Sequence, residues 1–354
     1  MGKDTKKIRV GGLAVGGGAP VSVQSMLCAP SWDLQANLDQ AIALEKAGCE
    51  VLRVAVPDIE SVKLIPAIKE AVKMPLVADI HFDHKLALEA IAAGADKIRI
   101  NPGNIGGEAK IRQVALACRE KGLPIRVGVN AGSLEKAILA RHGGPTAQAM
   151  VESALGQIAL LERHDFTDIV ISLKCSDVKT TVEAYRLISR ENRYPLHIGV
   201  TEAGTERMGI IKSAAGIGSL LLDGIGDTLR VSLTADPVRE VEAGRDILRA
   251  LGIGKGVNVI SCPTCGRCRI NLIELTKEVE HALADIDAPL TVAVMGCAVN
   301  GPGEAANADL GVAGGDGEGL IFAGGQVIEK VPQEKIVDKL VELARQKAKA
   351  FEDS

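Results

Sequence analysis

The feature that most constrains this fold is an alternation. From residue 21 to about residue 250, a short β-rich run precedes a helical pattern again and again. The runs are VSVQSM (21–26), VLRVAV (51–56), LVADI (76–80), KIRIN (97–101), IRVGVN (125–130), IVISLK (169–174), LHIGV (196–200) and TLRVSL (228–233). Between them lie stretches such as LQANLDQAIALEKAG and VEAYRLISREN, with apolar residues at helical spacing. AGCE, AGAD and EKGLP put a glycine just past a helix end, where a C-cap prefers it. Eight such units in about 230 residues is the count and length of a TIM barrel. The expected fold class is therefore α/β, with an N-terminal TIM (β/α)8 barrel over 1–252. An open doubly wound sheet would carry a glycine fingerprint after its first strand. Here GGLAVGGG comes before the first strand, so it reads as a flexible lead-in.

The segment LGIGKGVN (251–258) reads as a linker. Beyond it, strands are expected near 257–261, 290–295, 310–313, 319–323 and 326–330, with helices near 266–285 and 333–350. That is a small α/β domain over 258–354. Its VAGGDGEG reads as tight turns between short strands rather than a phosphate loop.

Aromatic residues are only 2% of the chain, so the core must be built from Val, Ile, Leu and Ala. A net charge of −4 and the lack of any Lys/Arg run give no basic field for nucleic acid. The opening MGKDTKKIRVGGLAVGGGAP has no secretory apolar stretch, and no run approaches the roughly 18 residues of a membrane span. A cytoplasmic location is expected, where disulfides are uncommon. Clustered cysteines then point to metal or redox chemistry. The scattered Cys28, Cys49, Cys118 and Cys175 read as small buried hydrophobes.

Barrel strands are covered on both faces and should be apolar. These are not: Arg53, Asp79, Arg99, Asn101, Arg126, Asn130, Ser172, Lys174, His197, Arg230 and Ser232 lie within them or at their ends. Parity sorts them. Lys97, Arg99 and Asn101 alternate with Ile98 and Ile100; Arg126 and Asn130 share a face through Gly128; Asp79 shares one with His81. The polar set must face the barrel axis, toward the carboxyl ends where such folds place their sites. Four arginines and a lysine at one mouth call for an anion, most economically a phosphorylated or diphosphorylated small molecule. His81 and His197 suit proton transfer or phosphate hydrogen bonding, whereas His84, His142, His164 and His281 read as surface groups. Lys174 leaves a second chemistry open, since a lysine there could form a Schiff base as in aldolases.

The second domain carries SCPTCGRC (261–268) and, at Cys297, GCAVNGPGE. Zinc commonly takes two CxxC pairs, and Cys297 has no such partner. Three thiolates and a distant fourth group match iron–sulfur ligation better, with zinc as the alternative.

Taken together, SCPTCGR with GCAVNGPGEA resembles the (E)-4-hydroxy-3-methylbut-2-enyl diphosphate synthase family. That is the iron–sulfur enzyme of the methylerythritol phosphate route to isoprenoids. VQSM, VADIHFD, KIRINPGNIG, RVGVNAGSLE, HIGVTEAGT and GIGDTLRVSLTADP are similar to further family blocks, so the resemblance covers nearly the whole chain. It implies a TIM barrel followed by a cluster domain, and a 4Fe–4S cluster held by Cys262, Cys265, Cys297 and Glu304. It also implies a homodimer in which one chain's barrel faces its partner's cluster domain. The reaction implied is reductive ring opening of 2-C-methyl-D-erythritol 2,4-cyclodiphosphate, with electrons from flavodoxin, ferredoxin or an NADPH-fed reductase. Protonating the departing oxygen needs an acid, and Glu202 in VTEAGT is the candidate. The chain departs from the family pattern at Cys268, which the implied ligand set does not use and which leaves a four-thiolate set with Cys268 in place of Glu304 as an alternative, and at LCAPSWD (27–33), an apolar segment where a polar one is usual. The competing expectation is an aldolase-type lyase acting through Lys174, with a structural zinc tail.

Overall fold

A computed structural model of the chain describes residues 4–352, except 298–302 and 304. It forms two compact units, one ending at Ile247 and one beginning at Leu248. The first opens with a hairpin, β1 (Ile8–Val10) and β2 (Leu13–Val15). Eight strands follow: β3 (Ser22–Met26), β4 (Val51–Ala55), β5 (Leu76–Asp79), β6 (Lys97–Ile100), β7 (Ile125–Asn130), β8 (Ile169–Lys174), β9 (His197–Ile198) and β10 (Thr228–Leu229). Their order is β8-β7-β6-β5-β4-β3-β10-β9, all parallel, and an Ile171–Leu196 bridge closes the ring. The barrel is the expected one.

Strands β9 and β10 are only two residues long, shorter than their sequence runs suggest. The chain at Gly199 turns close to its neighbour. A Cβ there would lie 2.3 Å from the Arg230 carbonyl, so only glycine fits.

The lead-in is a correction. GGLAVGGG is not flexible but supplies most of an antiparallel hairpin, with Val10 opposite Leu13 across a Gly11–Gly12 turn. Ile8, Val10 and Val15 pack on Val170. Val170 lies at the start of β8 on the same face as Ser172 and Lys174. The hairpin therefore covers the amino-terminal end of the barrel with apolar surface.

Alternation along the ladder separates two layers. Ile98, Ile100, Val127 and Val129 are buried on the helix side. Register aligns Asp79 with Arg99 and Arg99 with Arg126, on the opposite side. A Cβ on Gly128 would meet Arg99 Nε at 2.6 Å, so the missing side chain makes room for that guanidinium inside the barrel.

The second unit is a five-stranded sheet: β11 (Asn258–Ser261), β12 (Thr291–Met295), β13 (Leu310–Gly314), β14 (Glu318–Ala323) and β15 (Gln326–Pro332). The first three strands run parallel, and the last two continue as an antiparallel meander. Helices Leu272–Ala282 and Ile336–Glu352 join Val292, Val294 and Val312 in one core. Val279 and Leu340 are fully buried there, and truncating Leu340 to Ala would cost about 2–5 kcal/mol. The other face of the sheet packs Ala293, Met295 and Phe322. VAGGDGEG is a turn between strands, closed by the Gly315 N–H on the Glu318 carbonyl at 2.7 Å. Among the described residues no helix is long and apolar enough to cross a membrane.

Candidate active site

At the carboxyl ends of β4 to β6, one buried carboxylate organises two arginines. Arg53 donates to Asp79 at 2.6 Å and Arg99 at 3.0 Å, one to each oxygen, and His81 Nε2 lies 3.1 Å from Asp79 Oδ2. Burial alone would raise the Asp79 carboxyl. Arg53, His81 and Arg99 outweigh it and hold the group well below the usual carboxylate range. Burial pushes Arg53 down to about 10, against the pull of Asp79. Across the ring, Arg230 forks onto Glu240 through Nε and Nη2, both at 3.2 Å. Glu240 also accepts from Ser25 Oγ at 3.1 Å and the Leu233 N–H at 3.0 Å.

The remaining basic side chains lack such carboxylate partners. Lys97, Arg126 and His197 are buried, and Lys97 Nζ, Arg126 Nε and His197 Nε2 meet no partner among the described residues. His197 Nδ1 lies 2.6 Å from Thr228 Oγ1, which fixes the ring, and Tyr185 Oη donates to the His197 carbonyl at 2.5 Å. Burial, then Arg126 and Arg53, pushes the Lys97 ammonium well below its ordinary value. Burial, then Arg126 and Arg230, does the same to Lys174, with Glu240 opposing. His197 is driven down by burial first and by Lys174, Arg126, Lys97 and Arg53 after it, so its ring is neutral.

The cations thus outnumber the two carboxylates. Asp79 and Glu240 occupy Arg53, Arg99 and Arg230, leaving Lys97, Arg126 and Lys174 uncompensated. A buried charge without a partner is costly, so this arrangement suits an arriving anion. The four arginines look equivalent in the sequence, but the fold pairs Arg53, Arg99 and Arg230 with carboxylates and leaves Arg126 without one among the described residues.

The other expected site residues are placed as follows. Asn101 is buried just past β6, and Ser172 is buried beside the Val127 carbonyl at 3.5 Å. Asn130 and Ser232 are half-buried, whereas His81 and Glu202 are exposed. Glu202 has φ of 51°, in the left-handed region that residues other than glycine rarely adopt. Such strain costs about 1–3 kcal/mol and concentrates where a side chain must be aimed.

The parity of Arg99 already turns Lys97 inward in the sequence, although it was not counted among the expected site residues, and Glu240 was left out altogether. Glu240 reads as an ordinary acid in the first turn of helix Pro237–Ala250, and only the tertiary fold joins it to Arg230.

Two scattered cysteines also need correction. Cys28 is exposed, with Gln40 Nε2 3.1 Å from its sulfur, and Cys175 is half-buried. Cys49 and Cys118 are buried as expected, and burial pushes both thiols up to about 12. Trp32, in the apolar segment after β3, is 83% exposed.

In the second unit, β11 and β12 are adjacent and parallel, so the segments after them emerge at one edge of the sheet. Cys262 follows the first strand, and Gly296 and Cys297 follow the second. Cys262, Cys265, Cys268 and Cys297 are all free thiols. The Arg267 backbone N–H, and then its guanidinium, hold the Cys265 thiol below its ordinary value, favouring the thiolate. Among the described residues no three His, Cys, Asp or Glu side chains converge tightly enough for a single ion. The four thiols are soft donors of the kind that hold an iron–sulfur cluster, and the donor set present fits that group. Glu304, the expected fourth ligand, lies outside the described residues.

The fold and the two sites define a TIM-barrel protein with a cationic mouth, followed by a separate α/β unit bearing thiol ligands. Family models narrow this. The GcpE TIM-barrel domain matches residues 5–245 and the GcpE protein C-terminal domain matches residues 258–346. The chain belongs to the GcpE family. A 4-hydroxy-3-methylbut-2-en-1-yl diphosphate synthase (flavodoxin) of Geobacter sulfurreducens is 58% identical, over 96% of this chain and 97% of the relative. A protein of the same name from Caldicellulosiruptor saccharolyticus is 54% identical, over 95% of this chain and 97% of the relative. Among solved structures, dihydropteroate synthase of Yersinia pestis matches with a TM-score of 0.50 and 15% identity, covering 69% of this chain and 98% of that one. That likeness concerns the barrel fold alone.

Proposed function

We propose that this chain is a 4-hydroxy-3-methylbut-2-en-1-yl diphosphate synthase. It opens the ring of 2-C-methyl-D-erythritol 2,4-cyclodiphosphate, taking up two electrons and two protons and releasing one water. The observation that carries this reading is the 58% identity, over 96% of the chain, to a relative of that name. The aldolase alternative with a zinc tail is not adopted, because it leaves that relationship without explanation.

The barrel residues divide the work. Lys97, Arg126 and Lys174 receive the diphosphate charge, since no carboxylate of the barrel occupies them. Asp79 and Glu240 hold Arg53, Arg99 and Arg230 in fixed orientation, so their outer N–H groups reach phosphate oxygens without reorganisation. His81, Asn101, Asn130, Ser172, His197 and Ser232 complete the polar lining. Glu202, exposed and held in a strained conformation, gives its proton to the departing oxygen.

Cys262, Cys265, Cys297 and Glu304 would hold a 4Fe–4S cluster. When bound, such a cluster supplies single electrons and a Lewis-acidic iron. A reduced flavodoxin serves as donor, and two chains assemble so that one barrel works with its partner's cluster domain.

The test is anaerobic purification with iron and sulfide analysis, followed by turnover of the cyclodiphosphate with reduced flavodoxin. A colourless protein without iron that yields no allylic diphosphate after cluster reconstitution would overturn the reading.

A further inference from the structure

The three-cysteine run leaves one thiol with no assigned work, and its surroundings are specific. Cys268 Sγ donates to the Ile270 carbonyl at 3.2 Å, and its backbone N–H donates to the Cys265 carbonyl at 3.0 Å. Its sulfur also fills the space where Gly296 has no side chain. A Cβ on Gly296 would lie 2.6 Å from Cys268 Sγ and 3.4 Å from Cys268 Cβ. Gly296 in turn uses both backbone groups. Its N–H donates to Cys262 Sγ at 3.3 Å, and its carbonyl accepts the Arg269 N–H at 2.9 Å.

These contacts form one clamp. The ladder between β11 and β12 aligns Ser261 with Val294, which brings Cys262 level with the start of the Gly296 turn. The Arg269 bond ties the loop after Cys265 to the same turn. Cys268, packed against the core of the second unit, presses on Gly296 from the other side.

We propose that Cys268 is a positioning residue that wedges Gly296 in place, so that the Gly296 N–H stays on the Cys262 sulfur. A hydrogen bond to a ligand sulfur delocalises its negative charge and raises the reduction potential of the cluster it holds. Cys268 thereby sets the potential of the cluster without ligating it. This inference rests on the reading above that Cys262 is a ligand.

The test uses full-length protein purified anaerobically with its cluster: wild type, Gly296→Ala, Cys268→Ala, the double variant and Cys262→Ala. Iron per chain, the rate of iron loss to a chelator and the midpoint potential by EPR-monitored titration are read for each. Overpacking at Gly296 should speed iron loss about tenfold or more in Gly296→Ala. Removing the sulfur opens the required space, so the double variant should recover most of the wild-type retention. Cys268→Ala should keep full iron but shift the potential to more negative values. If Gly296→Ala does not fold, the Cys268→Ala potential still decides. Three results would overturn the wedge: Cys268→Ala losing iron as Cys262→Ala does, an unchanged potential in Cys268→Ala, or a double variant no better than Gly296→Ala. Wild-type protein without iron or sulfide would instead overturn the functional reading beneath it.

Discussion

Replacing Arg126 with methionine separates affinity from stability. Arg126 is 1% exposed, its Nε has no partner among the described residues, and no carboxylate there pairs with its guanidinium. Burial, and after it Arg53 and Arg99, disfavours its charge, with Asp79 opposing from a distance. In the empty barrel that cation is a liability, and methionine of similar length should raise stability by on the order of 1 kcal/mol. For a unit of this size that is a rise of about 2–4 °C in melting temperature. In the complex the sign reverses. A charge-assisted contact to a buried phosphate is worth about 2–4 kcal/mol, so Kd for the cyclodiphosphate should rise about 30- to 900-fold. Arg99→Met makes the contrast, because it strips a partner from buried Asp79 and should lower both melting temperature and affinity. Calorimetric binding to oxidised holoenzyme, beside thermal melts of the empty protein, measures the two quantities separately. An Arg126→Met protein that binds like wild type and melts lower would mean this arginine is a structural plug.

Lys97 and Lys174 are both held below 10.5 in the folded protein, so the unfolded chain binds more protons up to that pH. Stability of the empty protein should therefore rise with pH toward about 10.5, and Lys97→Met should flatten part of that rise in melts across pH. Anion binding should raise both groups back toward their ordinary value, so calorimetry in buffers of different ionisation enthalpy should show proton uptake on the alkaline side, smaller for Lys97→Met. If the barrel of one chain works with its partner's cluster, mixed Arg126→Met and Cys297→Ala chains should regain activity on subunit exchange. Verified heterodimers without activity would place the whole site within one chain. Glu202→Gln should lower kcat about 10²- to 10⁴-fold at unchanged Kd, the loss expected for a general acid; an unaltered kcat would return Glu202 to an ordinary loop carboxylate.

The barrel was legible because its two periods are clean. Ile98 and Ile100 against Lys97 and Arg99, or Val127 and Val129 against Arg126, state both the strand and its inward face. The hairpin at 8–15 was missed for a physical reason. Glycine is as compatible with a tight two-residue turn as with a flexible lead-in, and only packing on Val170 decides between them. The Ile8, Val10, Leu13 and Val15 alternation around Gly11–Gly12 was nevertheless present. Pairing within the mouth was not legible, because Glu240 meets Arg230 only when helix and strand are folded together. Likewise, the wedge at Cys268 exists only because Gly296 belongs to a neighbouring strand's turn.

The counterions explain how a barrel with so charged an interior folds at all. Asp79 accepts Arg53 and Arg99, and Glu240 accepts Arg230 with two further donors, so three of the cations are satisfied before any ligand arrives. The outward Ile and Val faces, sealed under helices, supply the apolar burial that offsets the rest. Had evolution neutralised every cation, the mouth would hold its shape and bind nothing. The uncompensated Lys97, Arg126 and Lys174 are where stability and affinity oppose each other, whereas at Asp79 and Glu240 the two coincide. Asp79→Asn should therefore fail differently from Arg126→Met. It leaves two buried guanidiniums facing a neutral amide, and must lower melting temperature and substrate affinity together.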